Sequence, residues 1–270
     1  MKRRNRPRAP LTALLTAAAL LATGCGTTSH HASRAFAVPG APAHEASGGK
    51  GGGKAGGKAG KAAPEPRRLT RPLLSLLPGL GPKTLGLVPD DTRQALVVTG
   101  EGRDKNRGTA VLYERERPGA AWLPGHRWPA DNAVRGWTDK HVQGDLRSPI
   151  GLFTLTDAGG LLPDPGTKLT YDAGPAFTAT GTGSLGEPLA GSFDYVIAVN
   201  YNRRPGATPL DWTRPLGASR GGGIWLHVDH EGPTQGCLSF SRPVMKHLLR
   251  TLDPAKNPVV VMGDKASLRR

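Results

Sequence analysis

The 270-residue sequence has few cysteines, few aromatic residues and no long apolar run. It contains two cysteines, and aromatic residues make up 5% of the chain. No stripe of interleaved basic and aromatic side chains is present, which argues against nucleic-acid binding. No apolar run reaches the ~20 residues of a typical transmembrane helix. Regular alternation of strand and helix patterns is also missing, which argues against a doubly wound α/β fold.

The N-terminal residues have the layout of an export signal. Five Lys and Arg side chains precede a short apolar run at 11–22, and small residues follow. This order predicts a signal peptide over residues 1–24 rather than an uncleaved membrane anchor. The segment ATGC at 22–25 resembles a bacterial lipobox and predicts lipidation of Cys25, whereas AFA at 35–37 offers an ordinary cleavage site. We therefore expect an exported protein, held as a lipoprotein on the outer face of the cytoplasmic membrane or secreted to the cell wall.

Residues 25–87 are expected to form a flexible linker. The stretch EASGGKGGGKAGGKAGKAAPEP at 45–66 contains almost no apolar residues that could be buried. Residues 1–70 carry a net charge of +10 out of the total of +15, so most of the basic excess lies outside the expected domain. This charge predicts attraction to an anionic membrane surface or to anionic wall polymers, and a purely solubilising linker is the alternative.

The remaining chain is long enough for one domain, which we place at residues 88–264, followed by a basic tail at 265–270. Short β-branched runs bounded by Gly, Pro and Asp predict strands at Gln94–Thr99, Thr109–Tyr113, Ile150–Thr156, Tyr195–Asn200, Ile224–Val228 and Pro258–Met262. Ser241–Leu252 is the one clear helix, with Ser241 as its cap and Val244, Leu248 and Leu252 on one face. The pattern indicates a mainly β, sandwich-like or barrel-like domain with one or few helices, which we expect to be a monomer.

The stretch HVDHEGPTQGC at 227–237 concentrates groups that can carry chemistry. With Cys25 at the signal boundary, Cys237 is left without a disulfide partner. A zinc site could use His227, Asp229, His230 and Cys237, but strand alternation should turn the two histidines to opposite faces. A buried structural cysteine is a further alternative, and Asp229, His230 and Glu231 are most simply solvated loop residues.

A nucleophile with its base is the remaining interpretation. The predicted strand ending at Val228 delivers His227, and a short loop leads to Cys237 at the start of another apolar segment. If the two strand ends are neighbours, the imidazole could take the thiol proton and hold the thiolate in an ion pair. Gly236 leaves room for a substrate carbonyl, and the N–H groups of Gly236 and Cys237 could stabilise an oxyanion.

The sequence resembles the catalytic domain of the L,D-transpeptidase (YkuD-type) family. The segments IWLHV and PTQGCLSFS are similar to the family's signature, in which a histidine at a strand end is followed by Ser/Thr, a variable residue and Gly-Cys. Three further segments resemble the family in the same order: DKHVQGDLRSPIGLFTL at 139–155, DYVIAVNYN at 194–202 and LDPAKNPVVVM at 252–262. The resemblance covers about residues 90–264.

The resemblance implies a peptidoglycan acyltransferase that needs no metal or cofactor. Cys237 would be the nucleophile and His227 the base, oriented by a backbone carbonyl at Val228 or its neighbours. The thiolate would attack the stem-peptide amide before a terminal D-residue. An amine of a second stem would then resolve the thioester, or water would do so in a carboxypeptidase reaction. Thr234 and Gln235 occupy signature positions expected to meet substrate, although many members have histidine where Gln235 stands.

The sequence leaves open the role of Arg220 and two other functions of the protein. Arg220, on the approach to the histidine strand, could bind a stem carboxylate or could be a solvated arginine. A zinc-dependent cell-wall hydrolase using His227, His230 and Cys237 would differ from the acyltransferase by its dependence on metal. A non-catalytic wall-binding lipoprotein would have an inert thiol at Cys237.

Overall fold

The computed structural model describes residues 74–270. The signal peptide, Cys25 and most of the linker that the sequence predicts therefore lie outside the described residues. The strands of the described part are β1 (Gln94–Gly100), β2 (Arg107–Glu114), β3 (Leu123–Asp131), β4 (Trp137–Thr138), β5 (Ser148–Pro149), β6 (Gly151–Gly160), β7 (Thr170–Ala173), β8 (Val196–Val199), β9 (Trp225–Val228), β10 (Leu238–Phe240) and β11 (Val259–Asp264). The helices are α1 (Pro82–Leu85), α2 (Arg242–Thr251) and α3 (Lys265–Leu268). Short 3-10 turns lie at Pro175–Phe177, Ala218–Arg220 and Pro254–Lys256.

Eight of these strands close into a barrel. Their order around the barrel is β11-β1-β2-β3-β10-β9-β8-β6, and pairing of β6 with β11 completes the ring. Most neighbours are antiparallel, but β1 runs parallel to β11 and β9 runs parallel to β10. The expectation of a mainly β domain with few helices is confirmed, and the sheet takes the barrel form.

Side-chain alternation along the strands separates the barrel interior from the outer surface. Leu96 and Val98 of β1 lie in the main core cluster, whereas Ala95 and Val97, which alternate with them, belong to a second cluster. On β9, Leu226 and Val228 point into the main core, and Trp225 belongs to a third cluster that includes Cys237. The outer face of β9 is therefore also covered by protein.

The packed domain extends beyond the range 88–264 at both ends. Leu77 and Leu268 are almost completely buried in the second cluster, and α3 lies where the sequence predicts only a basic tail. The Gly81 N–H donates to the carbonyl of Leu268 at 2.8 Å, so the two ends of the described chain contact each other. The carboxylate of Asp264 caps α3 by accepting from two amides of its first turn.

The predicted strands are present with shifts at their ends, and the predicted helix is present with Ser241 at its N-cap position. Ser241 occupies the N-cap position of α2, but its side chain makes no capping hydrogen bond. Leu248 and Leu252 are buried in the main core and Val244 packs against it, as predicted, and Met245 and Leu249 widen this buried face. Within residues 74–270, no helix is both long and apolar enough to cross a bilayer.

Candidate active site

The strands β9 and β10 place His227 and Cys237 on the same outer face of the barrel. The two strands are parallel neighbours, with Leu238 beside Leu226 and Ser239 beside His227. Cys237 precedes β10 by one residue and therefore lies next to Trp225, whose N–H donates to the thiol at 3.4 Å. Since alternate residues share a face, the side chains of Trp225, His227 and Cys237 project to one side.

His227 and Cys237 line one cavity of about 240 Å³. Its other walls come from the connection that follows β9 and from the loop that precedes β8. These lining residues are Gly183, Ser184, Leu189, Ser192, Phe193, His230, Pro233, Thr234 and Gln235. The two residues that the sequence predicts to be base and nucleophile therefore line the same cavity.

The ring of His227 is fixed in orientation and in tautomer. Its Nδ1 lies 2.9 Å from the carbonyl oxygen of Val228, and because a carbonyl only accepts, Nδ1 carries the proton. Nε2 is then the unprotonated nitrogen and can act as a base. The side chain is 3% exposed, and this burial lowers the pKa of His227 to about 4. The imidazole is therefore neutral at pH 7.

The thiol of Cys237 is also neutral at rest. Burial raises the pKa of Cys237 to about 11, although the hydrogen bond from the Trp225 amide acts in the opposite direction. The Sγ atom lies 3.6 Å from the carbonyl of Gly223, and among the described residues no hydrogen bond joins it to His227. The thiolate–imidazolium pair that the sequence suggested is thus not the resting state.

The backbone around Cys237 is held from one side and open on the other. The hydroxyl of Thr234 donates to the Cys237 carbonyl at 2.7 Å, and the hydroxyl of Ser148 donates to the same oxygen at 3.3 Å. The N–H groups of Gly236 and Cys237 donate to no acceptor within residues 74–270. A Cβ atom on Gly236 would lie 3.1 Å from the Ile224 side chain, so the turn is tightly packed. The two free amides could serve as oxyanion donors.

His230 is part of the cavity wall rather than a solvated loop residue. Its ring stacks on that of His227, with 5.6 Å between centroids and 7° between planes. Its Nδ1 lies 3.3 Å from Glu187 Oε1, and its side chain is 4% exposed. The expectation that His227 and His230 face opposite ways is wrong, because His230 lies beyond the last residue of β9, where strand alternation no longer applies. Glu187 escaped the sequence-based prediction because it is remote in sequence.

A second cavity of about 200 Å³ borders the same cysteine. Its wall includes His141, which the sequence analysis did not single out as a site residue. The other lining residues are Gln143, Gly144, Leu146, Gly222, Gly223, Ile224, Gln235, Gly236 and Cys237. Gln235 is exposed and lines both cavities, so it lies where the two meet.

Arg220 lies outside the walls of both cavities. Its side chain is exposed, and its carbonyl accepts a hydrogen bond from the hydroxyl of Tyr201 at 2.8 Å. The structure therefore gives Arg220 no direct contact with the cavity around Cys237, and its binding of a stem carboxylate stays a prediction. Within the described residues, no group of three or more His, Cys, Asp or Glu side chains has the arrangement of a metal-ligand set.

No family model, no curated protein and no solved structure matches this chain. The function is therefore inferred from the residues of the site, the two cavities and their hydrogen bonds.

Proposed function

We propose that the protein is a cysteine acyltransferase of the L,D-transpeptidase type that acts on the stem peptides of peptidoglycan. One observation carries the proposal. Cys237 and the free Nε2 of His227 line one cavity, with the His227 ring oriented by the Val228 carbonyl. The resemblance of residues 139–155, 194–202 and 252–262 to that family supplies the substrate class.

The first half-reaction would be formation of a thioester. As Sγ of Cys237 bonds to the carbonyl carbon of the stem amide, His227 Nε2 takes the thiol proton. The amides of Gly236 and Cys237 would stabilise the charge on the carbonyl oxygen. The imidazolium then gives its proton to the leaving nitrogen, the carbon–nitrogen bond breaks, and the terminal D-residue departs. The second half-reaction transfers the acyl group from sulfur to an amine, or to water.

The pKa values favour proton transfer during attack over a preformed thiolate. With the pKa of His227 at about 4 and that of Cys237 at about 11, the ion pair is strongly disfavoured before substrate binds. The thiol must also turn away from the Gly223 carbonyl to reach the imidazole. Binding of the substrate would bring its carbonyl carbon to the Cys237 thiol and would change the surroundings of the thiol and the imidazole.

The experiment is a peptide-exchange assay with a tetrapeptide stem as donor and glycinamide as acceptor. Cys237→Ala should abolish exchange, and His227→Gln should lower kcat by about 10²–10⁴-fold, the usual range for a lost general base. His126→Gln is the matched control, because His126 is exposed on β3, away from the cavity. Full activity of Cys237→Ala would exclude this proposal, and loss of wild-type activity to a chelator would favour the zinc hydrolase.

We also propose that the protein is exported and that its N-terminal region tethers it near the wall. The expectation rests on the basic and apolar pattern of residues 1–24 and on the charge of the linker. A mature N-terminus at Cys25 with the mass of a diacylglyceryl group would support lipidation. An unmodified N-terminus after residue 37 would instead indicate simple secretion.

A further inference from the structure

The second cavity gives the thiol of Cys237 another approach. It shares only Gln235 and Cys237 with the cavity that contains His227, and its wall is otherwise built by the 141–146 loop and the 222–224 segment. The first cavity, at about 240 Å³, is smaller than the ~300–1,000 Å³ typical of ligand sites. A donor peptide seated beside His227 would fill it, so a second substrate needs a separate entrance.

His141 stands in this second entrance with a carboxylate behind it. Its Nδ1 lies 3.0 Å from Asp145 Oδ1, and the His141 residue is 5% exposed. The carboxylate of Asp145 accepts from the amides of Val142 at 3.0 Å and Arg147 at 2.9 Å. These backbone bonds hold the carboxylate against one ring nitrogen. The other nitrogen, Nε2, lies beside Gly221, the residue before the 222–224 segment of the cavity wall.

The ring of His141 is also held in place by its neighbours. Tyr201 packs edge-on against it at 5.3 Å between centroids, and the tyrosine hydroxyl is bound to the Arg220 carbonyl. A Cβ atom on Gly221 would lie 2.8 Å from His141 Nε2, so glycine is the residue that fits beside this nitrogen. The Cε1 atom of His141 would lie 3.8 Å from a Cβ on Gly236, which places the ring next to the turn that carries the nucleophile.

The surroundings of His141 suit a base that is neutral until it receives a proton. Burial lowers the pKa of His141, and the charge of Arg220 acts in the same direction. Asp145 opposes this shift and would stabilise the imidazolium once it forms. Burial raises the pKa of Tyr201, so this third titratable neighbour stays an uncharged phenol at neutral pH.

We propose that His141, backed by Asp145, is the general base for the acceptor that resolves the thioester on Cys237, with a primary amine as the preferred acceptor and water as its competitor. This inference rests on the proposed acyltransferase function and adds a second base to it. His227 would serve the formation of the thioester from the first cavity, and His141 its resolution from the second.

The step balances as follows. An acceptor amine enters in its uncharged form, and its nitrogen bonds to the acyl carbon of the thioester. His141 Nε2 takes the proton that this nitrogen loses. The carbon–sulfur bond breaks, and its electron pair stays on Cys237 as thiolate. The imidazolium of His141 then gives its proton to the sulfur, directly or through solvent, which restores the neutral thiol and the neutral imidazole of the resting state.

The test follows the acyl group on Cys237 by intact-protein mass spectrometry after a tetrapeptide stem has been added. In His141→Gln the adduct should form within about twofold of the wild-type rate, but glycinamide should remove it ~100-fold more slowly. Hydroxylamine is uncharged at neutral pH and needs no base, so it should remove the adduct equally fast from both proteins. His126→Gln should match the wild type in every step.

Each result has a distinct consequence. Equal removal by glycinamide in His141→Gln and wild type would overturn the inference while leaving the acyltransferase intact. If His141→Gln slowed removal of the adduct by hydroxylamine as much as removal by glycinamide, the variant would have a structural defect. This result would also overturn the inference. Absence of any adduct on wild-type Cys237 would remove the acyltransferase proposal itself. Asp145→Asn provides the second variant, and it should slow removal by glycinamide while leaving adduct formation unchanged.

Discussion

The pKa of Cys237 is raised and the pKa of His227 is lowered, so both side chains are uncharged at neutral pH. The raised pKa of Cys237 and the lowered pKa of His227 have the same main cause, which is burial on the outer face of the barrel. In many cysteine enzymes the thiolate is preformed by a nearby positive charge. At this site the directions of the two pKa shifts instead favour a neutral thiol beside a neutral imidazole.

The rate of alkylation of Cys237 by iodoacetamide should therefore depend steeply on pH. Since only the thiolate reacts, the rate in wild type should be low at pH 7 and should rise towards the thiol pKa of about 11. His227→Gln should leave this profile nearly unchanged, because the imidazole does not hold the resting thiolate. A fast plateau already reached near pH 7 would show that a preformed ion pair exists.

Thr234 contributes through the backbone of the nucleophile. Its hydroxyl holds the carbonyl of Cys237, so Thr234→Val should remove that bond and let the turn shift. We expect a fall in kcat of about 10-fold or more, since small misplacements of reacting groups are costly. Thr178→Val is the control, because the exposed Thr178 makes a similar 2.7 Å bond to the carbonyl of Pro175 and neither residue lines either cavity. Equal effects of the two variants on kcat would contradict the positioning role.

The sequence pattern could predict where His227, Val228 and Cys237 lie relative to one another. It could not predict which atoms they contact. Local spacing could indicate that a histidine and a cysteine share a loop, and both do line one cavity. It could not show that the thiol contacts Trp225 and Gly223, because those contacts depend on the parallel register of β9 and β10. Glu187 and His141 were missed for the same reason, since each meets the site only through the fold.

Among the elements, the loop at 181–192 is the one that closes the first cavity. Glu187 of this loop meets His230 and sits against Gly183 and Gly232, neither of which has room for a side chain. A Cβ atom on Gly232 would lie 2.0 Å from Glu187 Oε1. A methyl group at position 232 would therefore push the Glu187 carboxylate away from its place beside His230.

Gly232→Ala should displace Glu187 and loosen the loop. We expect faster amide hydrogen exchange across residues 181–192 and a higher KM for the donor peptide, because the cavity wall loses its anchor. Gly174→Ala is the matched control, since a Cβ atom there meets nothing within 4 Å. If Gly232→Ala exchanges and binds like wild type, the loop is not held in this way.

Strand prediction succeeded where β-branched residues form continuous runs and failed where they do not. β1, β8 and β11 are buried on both faces and consist almost wholly of apolar residues, so they stand out in the sequence. β3 has the sequence LPGHRWPAD, with two prolines and several exposed side chains, and it was not predicted. Its pairing with β2 and β10 supplies the order that its own residues do not encode.

At the scale of the whole molecule, residues near both ends of the described chain pack in one hydrophobic cluster. Leu77 near the start and Leu268 near the end both belong to the second core cluster, on the outside of β1 and β11. The prediction of a basic tail at 265–270 took account of the charges of Lys265, Arg269 and Arg270 but not of Leu268, which is buried.

Leu268→Ala should lower the free energy of unfolding by about 2–5 kcal/mol, the usual cost of truncating a buried leucine. Leu268 is 1% exposed, whereas Leu216 is 63% exposed and serves as the control. Leu216→Ala should change the free energy of unfolding by no more than about 0.5 kcal/mol. Equal denaturant midpoints for the two variants would show that the C-terminal residues do not belong to the packed domain.

The most direct test of the proposed function is the mass of the protein after incubation with a tetrapeptide stem. We expect a covalent adduct on Cys237 equal in mass to the donor peptide minus its terminal D-residue, with release of that residue. The adduct should be lost on addition of an amine and should not form in Cys237→Ala. Turnover of the stem without any adduct on Cys237, or an adduct that persists in Cys237→Ala, would contradict the account.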